Sequence, residues 1–122
     1  MTQKRTLDAA ELAQFTGSEH WYRHGLVRDV LFTDGAKYVA ECAGAYWLLD
    51  AIAIAERYEP AVRNEEFQVW RLAVHSDATA TLTCEDGNGR ALLAREIEYT
   101  DFPEPGITLW FANGTIYLPS EH

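Results

Sequence analysis

The sequence predicts an α+β fold in which an antiparallel β-meander of four to five strands carries helices on one face. Two observations support this prediction. Apolar and polar residues alternate with a period of two over much of residues 67–118, as expected for a sheet with one buried side. Residues 45–58 show a helical pattern that is apolar nearly all round. We therefore expect a single domain over residues 1–122, with a helical cover at about 7–58 and the sheet at about 66–118.

The strands are predicted from their alternation and from the turns between them. Residues 67–75 are rich in β-branched and aromatic residues, which favour strands. Asn113-Gly114 predicts a tight hairpin, because both residues tolerate the positive φ of a type I′ turn. Asp86-Gly87-Asn88-Gly89 predicts a β-turn, since it lacks the further acidic ligands of a calcium loop. The predicted buried face comprises Ala78, Ala80, Leu82, Cys84, Leu93, Ile97, Tyr99, Ile107, Leu109, Phe111, Ile116 and Leu118.

Three helices are predicted before the sheet. Residues 8–15 form a short amphipathic segment that Gly17 ends. A second helix begins at Thr33 or Asp34, either of which could cap it. Gly44 interrupts this helix, and the apolar helix that follows is expected to cover the sheet.

The charge is acidic and unevenly distributed. The formal net charge is −9, and residues 65–122 hold 3 Lys and Arg against 10 Asp and Glu. This balance argues against direct nucleic-acid binding, which needs a basic surface. No apolar run has the length of a membrane span, and no apolar leader follows the polar start. Cys42 and Cys84 are too few for a disulfide framework, so we expect a cytoplasmic protein with free, mostly buried thiols.

One polar and aromatic cluster is a candidate enzyme or ligand-binding site. Arg could hold an anion and His could move a proton there, with Asp34 or Asp50 completing the site. Two histidines are too few for a zinc site. An edge strand that packs Trp21 on the core explains the same cluster, and we expect Asp50 to face solvent and pair with Arg57 or Arg23. The cluster comprises His20, Tyr22, Arg23 and His24.

The remaining sequence contains no catalytic signature. A phosphate-binding glycine loop, a nucleophile elbow and a paired metal-ligand spacing are all missing, so no cofactor or metal is predicted and an enzyme is the less favoured class. We expect a small acidic interaction protein whose partner is a basic protein surface, such as that of a nucleic-acid-binding protein. Exposed Trp70 or Trp110 could also support a homodimer. The predicted interaction residues are Glu96, Glu98, Asp101 and Glu104.

Several motifs extend over almost the whole chain, namely LAQFTG, WYRH, FTDG, GAYWLLD, TCEDGNG and IEYTDFP. In these motifs the chain resembles an uncharacterised bacterial family that occurs on plasmids, on phages and in diverse genomes. The resemblance implies a small stand-alone intracellular protein of a mobile element. From the small size, the acidic charge and the missing catalytic residues we also expect an accessory or defence-blocking factor of a phage or plasmid. It implies no known activity, because the family is a domain of unknown function.

Overall fold

The computed structural model describes Leu7, residues 9–16 and residues 20–122. In chain order its helices and strands are α1 (Ala9–Leu12), β1 (Trp21–Arg23), β2 (Leu31–Thr33), α2 (Asp34–Cys42), α3 (Tyr46–Tyr58), α4 (Pro60–Arg63), β3 (Phe67–Val74), β4 (Ala80–Asp86), β5 (Ala91–Ile97), β6 (Gly106–Ala112) and β7 (Thr115–Tyr117), followed by a 3₁₀ turn at Pro119–Glu121. None of the described helices has the length and hydrophobicity of a membrane span.

The strands form one sheet in the order β1-β2-β7-β6-β3-β4-β5. Neighbouring strands are antiparallel except β2 and β7, which are parallel. The α+β class is confirmed, but the predicted count of four to five strands is wrong, because the described residues form a sheet of seven. The strand order also differs from a meander. β3 lies between β6 and β4, so β6 does not pair with β5, the strand that precedes it in the chain. The added strands, β1 and β2, have three residues each, which is too short for a period of two to be recognised.

One face of the sheet and the helices that cover it share a continuous hydrophobic core. Leu82, Cys84 and Leu109 lie on this face and are buried, as predicted. Trp70 lies there too, opposite Cys84 and Leu109, and only 1% of it is exposed, so its predicted place on the outer face is wrong. Val69 on the other face is also buried, which removes the alternation from this part of β3 and makes its phase ambiguous.

Local chemistry explains both ends of α2. The Thr33 hydroxyl accepts a hydrogen bond from the Ala36 backbone N–H and so caps α2. Gly44, with φ of +61°, separates α2 from α3. The first helix ends at Leu12, so the prediction of a helix over residues 8–15 is too long; Gly17, its predicted stop, lies outside the described residues. Both thiols are free, but Cys42 at the end of α2 is exposed, so the expectation of two mostly buried thiols holds only for Cys84.

The turns of the sheet follow the predicted chemistry at two places. Asn113 and Gly114 have φ of +53° and +73° and join β6 to β7, which confirms the hairpin. Asp86 Oδ1 accepts the backbone N–H of Asn88 and of Arg90, which fixes the β-turn. Two residues assigned to the buried face lie beyond the strand ends instead. They are Ala78, which lies in a turn with φ of +66°, and Tyr99, which is exposed.

The last strand and the C-terminal 3₁₀ turn contact β2 and the start of α2. Leu31 and Phe32 of β2 pair with Thr115 and Ile116 of β7. Glu121 then accepts hydrogen bonds from the Thr33 hydroxyl at 2.7 Å and from the backbone N–H of residue 35 at 3.2 Å. The N-terminus of α2 is therefore satisfied by a carboxylate from the last helical turn, in the position that the helix dipole favours.

Candidate functional site

Tyr22, from the predicted polar and aromatic cluster, lies next to Asp34 at the start of α2. The Tyr22 hydroxyl donates to Asp34 Oδ1 at 3.0 Å, and this hydrogen bond raises the pKa of Tyr22. The backbone N–H of His20 donates to the other oxygen of Asp34 at 3.3 Å. Lys37 lies over the Tyr22 ring, 4.4 Å from its centroid. The predicted pairing of this cluster with Asp34 is therefore present as a geometric contact.

His24 is buried and belongs to a separate environment. Its Nδ1 accepts the backbone N–H of Leu26 and of Val27, so the proton of the neutral ring is on Nε2. Nε2 donates to Asp50 Oδ1 at 2.7 Å. The prediction that Asp50 pairs with Arg57 or Arg23 is thus wrong, whereas the alternative, a contact between Asp50 and the polar cluster, is present through His24. These bonds tie the β1–β2 loop to α3.

Arg23 and Trp21 lie on the side of β1 that is opposite to Tyr22. The Arg23 guanidinium donates to the backbone carbonyl of Arg28. Trp21 is 58% exposed, so the prediction that it packs on the core is wrong; Tyr22 takes that side and stacks on Phe32 with ring centroids 5.6 Å apart. The predicted cluster is divided among three environments. Within the described part of the chain, no three His, Cys, Asp or Glu side chains come together as metal ligands.

The four predicted interaction residues lie along one edge of the sheet and in the loop that follows. Glu96 is near the end of β5, an edge strand, and the Thr81 hydroxyl lies 3.3 Å from one of its carboxylate oxygens. Glu98, Asp101 and Glu104 follow in the connection to β6, and all four side chains are exposed.

An apolar groove lies beside these acidic residues, between α3 and β5. Its volume is about 430 Å³. Arg95, at its wall, pairs with Glu59 at 3.5 Å. Tyr99 projects at its rim and is 73% exposed. We call this cavity the β5 groove; its lining consists of Trp47, Ala51, Leu82, Arg95, Glu96, Ile97, Tyr99, Thr100 and Asp101.

Trp110 lies on the outer face of the sheet, as the homodimer hypothesis assumed, but it is half-buried in an aromatic cluster. Its ring meets those of Phe67 and His122 edge to face, with centroids 5.2 and 5.1 Å away. Tyr117 stacks on His122 and completes the cluster. The aromatic surface that remained available for a homodimer is therefore largely used within the chain.

A buried carboxyl group in α3 is the main feature that sequence reasoning missed. Glu56 is only 8% exposed; its Oε1 accepts from Gln68 Nε2 at 3.0 Å, and its Oε2 has no hydrogen-bond partner among the described residues. Burial raises the pKa of Glu56 to about 7, while the bond from Gln68 opposes the rise. Gln68 Oε1 in turn accepts from Trp70 Nε1 at 2.9 Å. A perturbed carboxyl in a cavity wall is a functional-site candidate.

The sequence did contain a signal for this residue. Glu56 is seven residues after Leu49 and four after Ile52, which places all three on one stripe of a helix. Both apolar residues are buried, so the glutamate follows them inside. An acidic residue at an apolar helical position indicates either a hydrogen-bonded core group or a site.

Comparison with known proteins identifies the family without an activity. Neither a curated protein nor a solved structure matches the chain. A family model does match, over residues 6–122, and its description is a family of unknown function. Because the match covers nearly the whole chain, the chain belongs to the family of unknown function DUF6876.

Proposed function

We propose that the protein is a non-enzymatic interaction protein that docks its β5 edge on a basic protein surface, such as that of a nucleic-acid-binding protein. The observation that supports this proposal best is the position of the β5 groove directly beside the acidic residues. Such a surface can hold an apolar side chain in the groove while cationic side chains meet the carboxylates around it.

The charge distribution supports a basic partner. From Glu96 to the end of the sequence there are five Asp and Glu and no Lys or Arg. The last basic residue, Arg95, already has Glu59 as its partner. A surface patch of one charge sign attracts an oppositely charged partner and repels surfaces of the same sign.

The edge position of β5 adds a backbone contribution. Among the described strands, β5 pairs only with β4 and ends the sheet, so its outer N–H and C=O groups can pair with an extended partner segment. We place this interaction in the cytoplasm, where free thiols such as the exposed Cys42 stay reduced.

The test compares two charge reversals of equal size. Partners are captured from host lysate on the wild type, on Glu98→Lys beside the β5 groove and on Glu66→Lys, an exposed glutamate before β3. We expect a stoichiometric partner on the wild type and on Glu66→Lys and its loss from Glu98→Lys. Tyr99→Ala should weaken the same complex by removing the apolar anchor.

Salt dependence provides the second arm of the test. The Debye length falls from about 8 Å at physiological salt to about 3 Å at 1 M, so the affinity for the purified partner should fall steeply over this range. An affinity that does not change with salt, or equal capture by Glu98→Lys and the wild type, would show that the acidic edge is not the docking surface.

A further inference from the structure

The basic residues in the described part of this acidic protein fall into two equal sets. Eight of its lysines and arginines lie in the described part of the chain. One set forms ion pairs, namely Lys37 with Glu41, Arg71 with Glu85, Arg90 with Glu65 and Asp86, and Arg95 with Glu59. The other set, in which no member forms an ion pair with a described carboxylate, is Arg23, Arg28, Arg57 and Arg63.

These four arginines lie together at one corner of the molecule. The Arg23 guanidinium donates to the Arg28 carbonyl, and Arg63 Nη1 donates to the Arg57 carbonyl at 3.1 Å. Arg57 and Arg63 line a cavity of about 590 Å³, and Arg28 and Arg57 line a smaller one beside it. In a protein of net charge −9, such a concentration of cations without carboxylate partners favours an anionic ligand.

The larger cavity, which we call the arginine cavity, combines three kinds of lining. Arg57 and Arg63 supply positive charge, and Val30 and Phe111 supply apolar surface. Two acidic residues, Asp29 and Glu56, also line it. A volume of about 590 Å³ lies within the range of about 300–1,000 Å³ that small-molecule sites occupy.

Glu56 gives the cavity a second polar requirement. Glu56 is buried, and its Oε2 has no hydrogen-bond partner among the described residues. A buried acceptor without a donor is costly. Oε2 is itself shielded from solvent, so a side-chain shift must expose it before a ligand N–H can donate to it and remove that cost.

We propose that the arginine cavity binds a small organic anion that also carries an N–H donor, with its anionic group against Arg57 and Arg63 and its N–H group toward Glu56. The guanidinium fork matches the oxygen geometry of both phosphate and carboxylate. Val30 and Phe111 contact the body of the ligand. Nucleotides and amide-bearing amino acids share this chemistry, and the site does not depend on the β5 groove.

Calorimetric titration of the full chain with four probes tests the proposal. Guanosine monophosphate has a phosphate and base N–H groups, and glutamine has a carboxylate with amide and ammonium N–H groups. Ribose 5-phosphate and inorganic phosphate have an anionic group and no N–H. We expect guanosine monophosphate or glutamine to bind, and to bind at least about tenfold more tightly than the probes without N–H. Which of the two binds distinguishes the phosphate source from the carboxylate source.

Two sets of variants identify the groups that bind. Arg57→Gln with Arg63→Gln should weaken binding by about tenfold or more, while the matched pair Arg71→Gln with Arg90→Gln should leave it unchanged. Glu56→Gln keeps the side-chain shape but turns an acceptor into a donor. It should weaken guanosine monophosphate or glutamine and leave the N–H-free probes unaffected.

Three results would overturn the proposal. They are the absence of binding by all four probes, equal affinity for the probes with and without N–H, and wild-type affinity in the double arginine variant. Because all the substituted arginines are exposed, near-ultraviolet circular dichroism should show native packing in both double variants.

Discussion

Glu56→Gln should change how stability depends on pH. Burial raises the pKa of Glu56 from 4.5 to about 7 in the folded protein, whereas the unfolded chain keeps the ordinary value. Between these values the folded state binds the proton more tightly than the unfolded state. Folding stability from this group is therefore fully present below the unfolded pKa and is lost as the pH rises through the folded pKa.

The size of the effect follows from the two pKa values. At about 1.36 kcal/mol for each pKa unit, ionisation of Glu56 lowers the free energy of unfolding by about 2.5 kcal/mol between about pH 5 and pH 8. Gln cannot ionise, so the variant loses this dependence. Its absolute stability is less informative, because the new amide N–H groups replace the unpartnered oxygen and cost about 1–3 kcal/mol if they stay unpaired.

The assay is urea unfolding of the wild type and of Glu56→Gln across this pH range, with the free energies compared at each pH. The difference between the two proteins should grow by about 2.5 kcal/mol in favour of the variant from about pH 5 to pH 8. Glu66→Gln, at an exposed glutamate, is the matched control and should follow the wild type. Parallel curves for the wild type and Glu56→Gln would refute the assignment of a proton to this carboxyl.

Two further predictions concern the core and one turn. Gln68→Ala should lower the free energy of unfolding by about 3–5 kcal/mol in urea, because it opens a cavity and removes the acceptor of Trp70 Nε1; a loss below about 1 kcal/mol would mean that the buried network is not stabilising. Gly106→Ala should prevent folding, since φ is +114° and a Cβ would lie 1.7 Å from the Leu72 carbonyl oxygen. Gly89→Ala, where φ is +86° in open space, should cost only about 1–2 kcal/mol, and equal thermal midpoints for the two variants would contradict this reasoning.

The parts of the fold that were predictable are those where local pattern and burial agree. β4 and the second half of β6 alternate between buried and half-buried residues, so their pattern indicates both the strand and its phase. β1 depends on pairing with β2 for its position, and nothing in three residues distinguishes whether Trp21 or Tyr22 faces inward. Such choices are made by tertiary contacts, which a local pattern does not contain.

The candidate sites were predictable to different degrees. The acidic character of the β5 edge was predictable from the sequence alone, because Glu96 and Glu98 can be read from it directly. The β5 groove beside it requires the packing of Trp47 and Ile97 from distant parts of the chain. The arginine cavity likewise gathers residues from α3, α4 and the β1–β2 loop, so no window of sequence could reveal that its cations lack partners.

The link between β2 and the end of the chain has a consequence for the order of events during synthesis. Thr33 and its partner Glu121 are 88 residues apart, and β2 has its parallel neighbour only in β7. A ribosome makes about 5–20 residues per second, so residues 20–33 wait for several seconds before the strand that receives them exists. During that time β2 has no parallel neighbour, so the side chains of Val30 and Phe32, which the folded protein buries, lack that cover. β7, the last strand to be synthesised, is therefore the strand through which β1 and β2 join the sheet.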